Sequence, residues 1–170
     1  MLEKKITPIE FEKQLHEFVG QEFTEYFYIT DSIVVFNSGK KFPEDKNNPS
    51  SKLRSEYEFW INGPWQYLEN GKVTETSIPT QGEDIPSLRS RLEDFIMALK
   101  AKKVTGITIL NNGQTAEISL DNGGKFVVSA NKDSFVELSH RTHNQNGDFV
   151  SATHVRPNED TGELTYFEAP

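Results

Sequence analysis

Residues 84–138 limit the possible folds more than any other stretch of the chain. They open with apolar residues at helical spacing, namely Leu88, Leu92, Phe95, Ile96 and Leu99. Four strand-like segments then follow in close succession, at 104–110, 115–120, 125–129 and 135–138. Two of the turns between them carry strong hairpin signals, Asn112-Gly113 and the run from Asp121 to Gly124. Because the helix must bury one stripe and the strands one face, the sequence predicts that the two pack together.

The rest of the chain repeats this order of helix and strands. Thr7-Pro8-Ile9-Glu10 is a helix-start signal with a capping box, and apolar residues at helical spacing follow it. Strands are predicted at 23–29, 33–36, 56–61, 73–77, 149–155 and 164–167. Residues 37–53 are rich in Gly, Pro, Asn, Ser and Lys and are predicted to form one long loop. Residues 78–83 form a polar linker.

These elements predict an α+β fold in which two amphipathic helices pack on mostly antiparallel β-meander sheet. A parallel sheet is disfavoured because consecutive strands are joined by short turns. The length of 170 residues fits a single domain, 1–170. Since each half runs from a helix into a meander, two similar lobes that share a core, 1–77 and 84–170, are an alternative.

Composition narrows the classes of function. The formal net charge is −8, and residues 1–85 contain 15 acidic and 9 basic residues, a net charge of −6. Such a surface repels phosphate backbones, which argues against nucleic-acid binding. The chain has no Cys, no signal-peptide core at its start and no apolar run of about 18 residues, so we expect a cytoplasmic protein without a disulfide or a membrane span.

No motif indicates catalysis, a metal site or a cofactor. The chain lacks a nucleophile elbow, a phosphate-binding loop and a dinucleotide fingerprint. We therefore expect a non-enzymatic binding protein that holds a basic protein partner with acidic and aromatic side chains. On the strand at 56–61, one face is predicted to present Glu56, Glu58 and Trp60. The predicted partner-binding residues are Glu22, Glu25, Glu56, Glu58 and Trp60.

Two alternatives remain open at this point. His140, His143 and His154 lie near the predicted hairpin of residues 134–155, and His140 and His154 would approach each other if that hairpin brings them together. With Asp148 as a carboxylate, they would form the centre of a small metal-dependent or hydrolytic enzyme. The other alternative is a structural or assembly subunit, which would form a stable homo-oligomer.

Part of the sequence resembles a group of bacterial binding proteins. The resemblance covers roughly residues 57–138. It consists of the run Trp65 to Val73, the helix that ends in Ala98-Leu99-Lys100, the run Val104 to Ile109, and the strand-turn-strand of residues 118–128. In this pattern the chain resembles small immunity-type proteins encoded beside secreted polymorphic toxins. The resemblance implies a cytosolic, non-enzymatic and often acidic protein that blocks a toxin domain by covering its active site.

Overall fold

The described residues form two helices, a short 3-10 turn and twelve strands. The computed structural model describes residues 2–22, 25–30, 33–43, 47–48, 50–51, 53–62, 64–110, 115–129, 135–143, 149–157, 160–161 and 163–169. The helices are α1 (Pro8–Leu15) and α2 (Ile85–Ala98), and the 3-10 turn spans His16–Phe18. The strands are β1 (Leu2–Ile6), β2 (Glu25–Thr30), β3 (Ile33–Pro43), β4 (Leu53–Asn62), β5 (Trp65–Glu69), β6 (Lys72–Thr76), β7 (Val104–Leu110), β8 (Thr115–Leu120), β9 (Gly124–Ser129), β10 (Phe135–His143), β11 (Phe149–Pro157) and β12 (Leu164–Ala169).

The strands form two antiparallel sheets. The larger sheet has seven strands in the order β1-β12-β11-β10-β4-β3-β2, and the smaller has five in the order β6-β5-β9-β8-β7. Every pairing between neighbouring strands is antiparallel. The predicted α+β class, with a mostly antiparallel meander and two amphipathic helices, is confirmed.

Both halves of the chain contribute to both sheets. Strand β1 pairs with β12, and β4 pairs with β10 in the seven-stranded sheet. In the five-stranded sheet β5 pairs with β9. Residues 1–77 and 84–170 therefore do not form separate sheets. In each of these three pairs, one strand precedes the 78–83 linker and the other follows it.

Each helix begins at a side-chain cap, and the cap of α1 is the capping box that the sequence predicts. The Thr7 hydroxyl accepts the backbone N–H of Glu10, and the Glu10 carboxylate accepts the backbone N–H of Thr7 at 2.7 Å. The carboxylate of Asp84 likewise accepts the N–H of Ser87 at 2.8 Å. The backbone N–H of Thr7 lowers the pKa of Glu10, and the hydroxyl and N–H of Ser87 lower the pKa of Asp84.

One continuous apolar core lies between the helices and the two sheets. Its centre is a group of aromatic rings in which Phe126 contacts Phe36 of the larger sheet and Trp65 and Tyr67 of the smaller one. Phe95 brings α2 onto the same group, with its ring centroid 4.9 Å from that of Tyr67. These aromatic contacts join the sheets and the second helix into a single core.

The long loop predicted at 37–53 is wrong in its first part. Strand β3 continues to Pro43, and β4 already begins at Leu53. Gly39, one of the residues that favoured a loop, lies at a β-bulge. The register of β3 against β4 shifts between Ser38 and Lys41, and Gly39 has φ +79°. A Cβ at Gly39 would lie 2.9 Å from the Cβ of Glu56, so glycine also permits the close approach of the two strands.

Among the described residues, no helix is both long and apolar enough to cross a membrane.

Candidate functional site

The seven-stranded sheet has two different faces. Phe36, Phe59 and Ile61 point into the apolar core from β3 and β4. Because side chains alternate along a strand, their neighbours belong to the opposite face of the sheet. We call this opposite face the outer face; its central residues are Val35, Asn37, Glu58 and Trp60.

The register gathers most of the predicted partner-binding residues on the outer face. Glu25 of β2 pairs with Asn37 of β3, and Asn37 pairs with Glu58 of β4. Two residues further along β4, Trp60 pairs with Val35 on one side and with Glu137 of β10 on the other. Glu56 precedes Glu58 by two residues and shares its face by alternation. Glu56, Glu58 and Trp60 therefore lie on one face of β4, and the register places Glu25 beside Asn37 in the neighbouring strand pair.

The outer face is more buried at its centre than a solvated sheet face. Val35 and Asn37 are each 2 % exposed, and Glu58 is 6 % exposed. Trp60 and Glu56 are half-buried. Among the predicted residues of β4, the solvent-accessible part is thus limited to portions of Trp60 and Glu56, beside the buried carboxylate of Glu58.

The negative charge of Glu58 is compensated on its own strand. The Nε of Arg54 lies 3.3 Å from a carboxylate oxygen of Glu58, and the two residues are four positions apart on the same face of β4. A buried carboxylate requires such a partner, since an isolated ion would lose its hydration without compensation. Glu56 is held differently, because its carboxylate accepts the backbone N–H of Lys40 at 3.1 Å. The outer face is consequently less acidic than the sequence suggested.

Glu22 does not join the other predicted residues. Its backbone carbonyl accepts the hydroxyl of Ser38 at 2.9 Å, and Ser38 belongs to the core-side register of β3. Glu22 also forms an isolated bridge with Lys103, at the start of the smaller sheet. It is exposed at the junction of the two sheets and approaches β3 from the side opposite the outer face.

The strand register places the histidines predicted for the alternative enzyme. His140 pairs with Thr153, whereas His154 pairs with Ser139, so the two histidines occupy successive rungs of the β10–β11 ladder. His143 ends β10 beyond a register shift, and Asp148 lies outside the described residues. Among the described residues, no group of three His, Cys, Asp or Glu could hold a metal ion.

A shallow depression of about 430 Å³ lies at the start of α1. The capping-box residues Thr7 and Glu10 line it together with Lys5 and Glu163, whose side chains form an exposed ion pair at 2.8 Å. These polar groups satisfy one another, and their arrangement explains the beginning of the helix without a ligand.

Two residues of the outer face were not predicted. Arg54 lay between the predicted loop of residues 37–53 and the predicted strand at 56–61, although its spacing of four from Glu58 would have placed both on one strand face if the strand had been extended backwards. Asn37 lay in the same presumed loop, and its position beside Glu58 follows only from the strand pairing.

Comparisons of the chain with protein-family models, curated proteins and solved structures find no match.

Proposed function

We propose that the protein is a cytosolic, non-enzymatic binding protein that neutralises a protein partner of the toxin type, with the outer face as its contact surface. The observation that supports the proposal is the position of Trp60. Its large aromatic ring is half-buried on the sheet face opposite the core, and carboxylates lie two and four residues away on the same strand face. In the described part of the chain, Trp60 is not among the residues that form the apolar core.

The chemistry of the surface fits an anchored, charge-steered contact. Tryptophan is enriched among the few interface residues that carry most of the binding free energy, because its ring loses much apolar surface to water when it is covered. Since Arg54 already pairs with Glu58, Glu56 is the carboxylate of β4 that we expect to attract a basic partner. The net charge of −8 adds a long-range attraction that raises the association rate.

Titration against a basic candidate partner tests the proposal. The natural candidate is the product of a reading frame that neighbours this gene, because the proposed type of protein is encoded beside its toxin. Trp60→Ala should weaken binding at least about thirtyfold, the effect of losing roughly 2 kcal/mol at an interface hot spot. Glu56→Lys should lower mainly the association rate, and the loss should shrink as salt is added.

Matched controls lie on other parts of the molecule. Met97→Ala removes a large exposed side chain from α2, and Glu69→Lys makes the same charge change on the smaller sheet. Both controls should bind as the unsubstituted protein does. If Trp60→Ala and Glu56→Lys also bind with unchanged affinity and rates while remaining folded, the outer face is not the contact surface.

A further inference from the structure

Strand β6 is an edge strand of the five-stranded sheet, with β5 as its neighbour on one side. On its other side, its backbone N–H and C=O groups point away from the sheet. The N–H of Ser77 donates to the carbonyl of Trp65 at 3.0 Å, so the backbone of Ser77 faces β5. In an antiparallel pair successive residues direct their backbone groups to opposite sides. The N–H and C=O of Thr76 therefore point away from β5, to where a further strand would bind.

Side chains occupy both of these outward groups. The carboxylate of Glu75 accepts the N–H of Thr76 at 2.9 Å, and Nη1 of Arg91 donates to the carbonyl of Thr76 at 3.2 Å. Arg91 and Glu75 also form an ion pair with each other. A strand that added to this end of β6 would have to displace both side chains.

The guanidinium of Arg91 is fixed by several other contacts. Its Nε and Nη2 donate to the two carboxylate oxygens of Glu83 at 2.8 and 2.9 Å, and Nη2 also contacts the carbonyl of Ile78 at 3.4 Å. With the two bonds of Nη1, these contacts use all five N–H donors of the side chain. We call Arg91 with Glu75, Thr76, Ile78 and Glu83 the Arg91 clamp.

The clamp joins α2 to the edge strand and to the linker that follows it. Glu83 in turn accepts the N–H of Thr80 at 2.9 Å, so the linker of residues 78–83 is folded against the same guanidinium. At the other end of the sheet the main chain itself covers the start of β7, because Gly20 donates to the carbonyl of Val104 and Val104 donates to Gln21. The two ends of the sheet are thus covered in different ways, one by backbone and one by side chains.

We propose that the Arg91 clamp prevents β6 from pairing with a second copy of this chain. An uncovered edge strand offers unpaired N–H and C=O groups to any similar edge. A second copy is the occupant that fits, since two identical edges pair antiparallel about a twofold axis and satisfy each other. Val73, which is 51 % exposed on β6, adds an apolar side chain to both members of such a pair.

The test compares the mass of variants in solution by sedimentation velocity and light scattering over a wide range of protein concentration. Arg91→Met should raise the weight-average mass towards twice that of the unsubstituted protein, and the Thr76 amide should exchange its hydrogen faster in dilute samples. Arg89→Met, which removes the same charge two positions earlier on α2, should do neither. The double variant Arg91→Met/Val73→Lys should lose the association, because a lysine on an edge strand opposes strand addition.

The double variant also separates edge pairing from a charge effect, since it restores the net charge of −8. If Arg91→Met does not fold, Glu75→Ala removes the acceptor of the Thr76 N–H with less disturbance and should cause a weaker association. The proposal is overturned if the folded variants keep the mass of the unsubstituted protein at all concentrations. Association that Val73→Lys leaves intact would also overturn it, since that result indicates aggregation elsewhere on the surface.

Discussion

Replacement of Gly124 by alanine tests how tightly the aromatic core closes over the five-stranded sheet. The ring of Tyr67 crosses Gly124 from the neighbouring strand, and a Cβ at position 124 would lie 1.8 Å from its hydroxyl oxygen and 2.3 Å from Cζ. Ordinary contact requires roughly 3.5 Å, so the ring would have to withdraw by more than about 1 Å. Tyr67 is fully buried, and its centroid lies 5.0 Å from that of Phe126.

The expected cost follows from these contacts. Forcing an extra carbon into a packed core costs about 1–3 kcal/mol, and displacement of the ring also weakens the bond that the Asn122 amide donates to the Tyr67 hydroxyl at 2.9 Å. That hydrogen bond contributes about 1 kcal/mol, while the alanine returns roughly 0.5–1 kcal/mol through the unfolded chain. We expect Gly124→Ala to lower the free energy of unfolding by about 2–3 kcal/mol, or the melting temperature by roughly 4–12 °C.

Chemical denaturation measures this free energy, and the same sheet supplies a matched control. Gly106 lies in β7, has no positive φ, and would offer open space to a Cβ. Gly106→Ala should therefore be neutral or stabilising by up to about 1 kcal/mol. In a Tyr67→Leu background, where the clashing atoms are gone, Gly124→Ala should cost less than about 1 kcal/mol. Equal effects of the two alanines, or an undiminished cost in the leucine background, would refute the reasoning.

Four further predictions concern other parts of the molecule. Ala101 has φ +66°, so Ala101→Gly should raise the free energy of unfolding by about 0.5–1 kcal/mol in chemical denaturation. Arg91→Lys keeps the charge but supplies fewer donors in a different geometry, and should lower the same free energy by about 1–2 kcal/mol. Hydrogen bonds at the two N-caps hold the pKa of Glu10 and Asp84 below the ordinary 4.5 and 3.8. The two ionised carboxylates therefore stabilise the folded state at higher pH, and this stabilisation is lost as pH falls through their pKa values in the folded protein. Asp84→Asn should flatten the acid side of a profile of unfolding free energy against pH. Trp60 is half-buried whereas Trp65 is fully buried, so Trp60→Phe should remove most of the acrylamide-quenchable fluorescence and Trp65→Phe should not.

Local signals in the sequence predicted local structure well. The predicted capping box at Thr7 and Glu10 is present, because it depends only on residues three apart. Asn70-Gly71 forms the turn between β5 and β6, with positive φ at both residues. The run from Asp121 to Gly124 joins β8 to β9, and Asn112-Gly113 lies outside the described residues.

Features that depend on distant pairing could not be predicted. Gly39 has the sequence signature of a turn, and only its partner strand β4 shows that it forms a bulge within a longer strand. The segment Leu2-Glu3-Lys4-Lys5-Ile6 does not alternate, yet it forms β1 because β12 provides its backbone partners. Similarly, the burial of Glu58 follows from its position between β3 and β10, since the residue itself is of a type that is usually exposed.

The pairing of β1 with β12 has a consequence for synthesis of the protein. Strand β1 leaves the ribosome before β12 and must wait for it, since Leu2 pairs with Glu168. At about 5–20 residues per second, that delay is roughly 10–30 s. During this delay β1 lacks its partner strand, so the nascent chain carries unpaired backbone that other proteins can contact. We therefore expect the yield of native protein to depend on the rate of translation and on chaperones more strongly than the stability of the finished molecule would suggest.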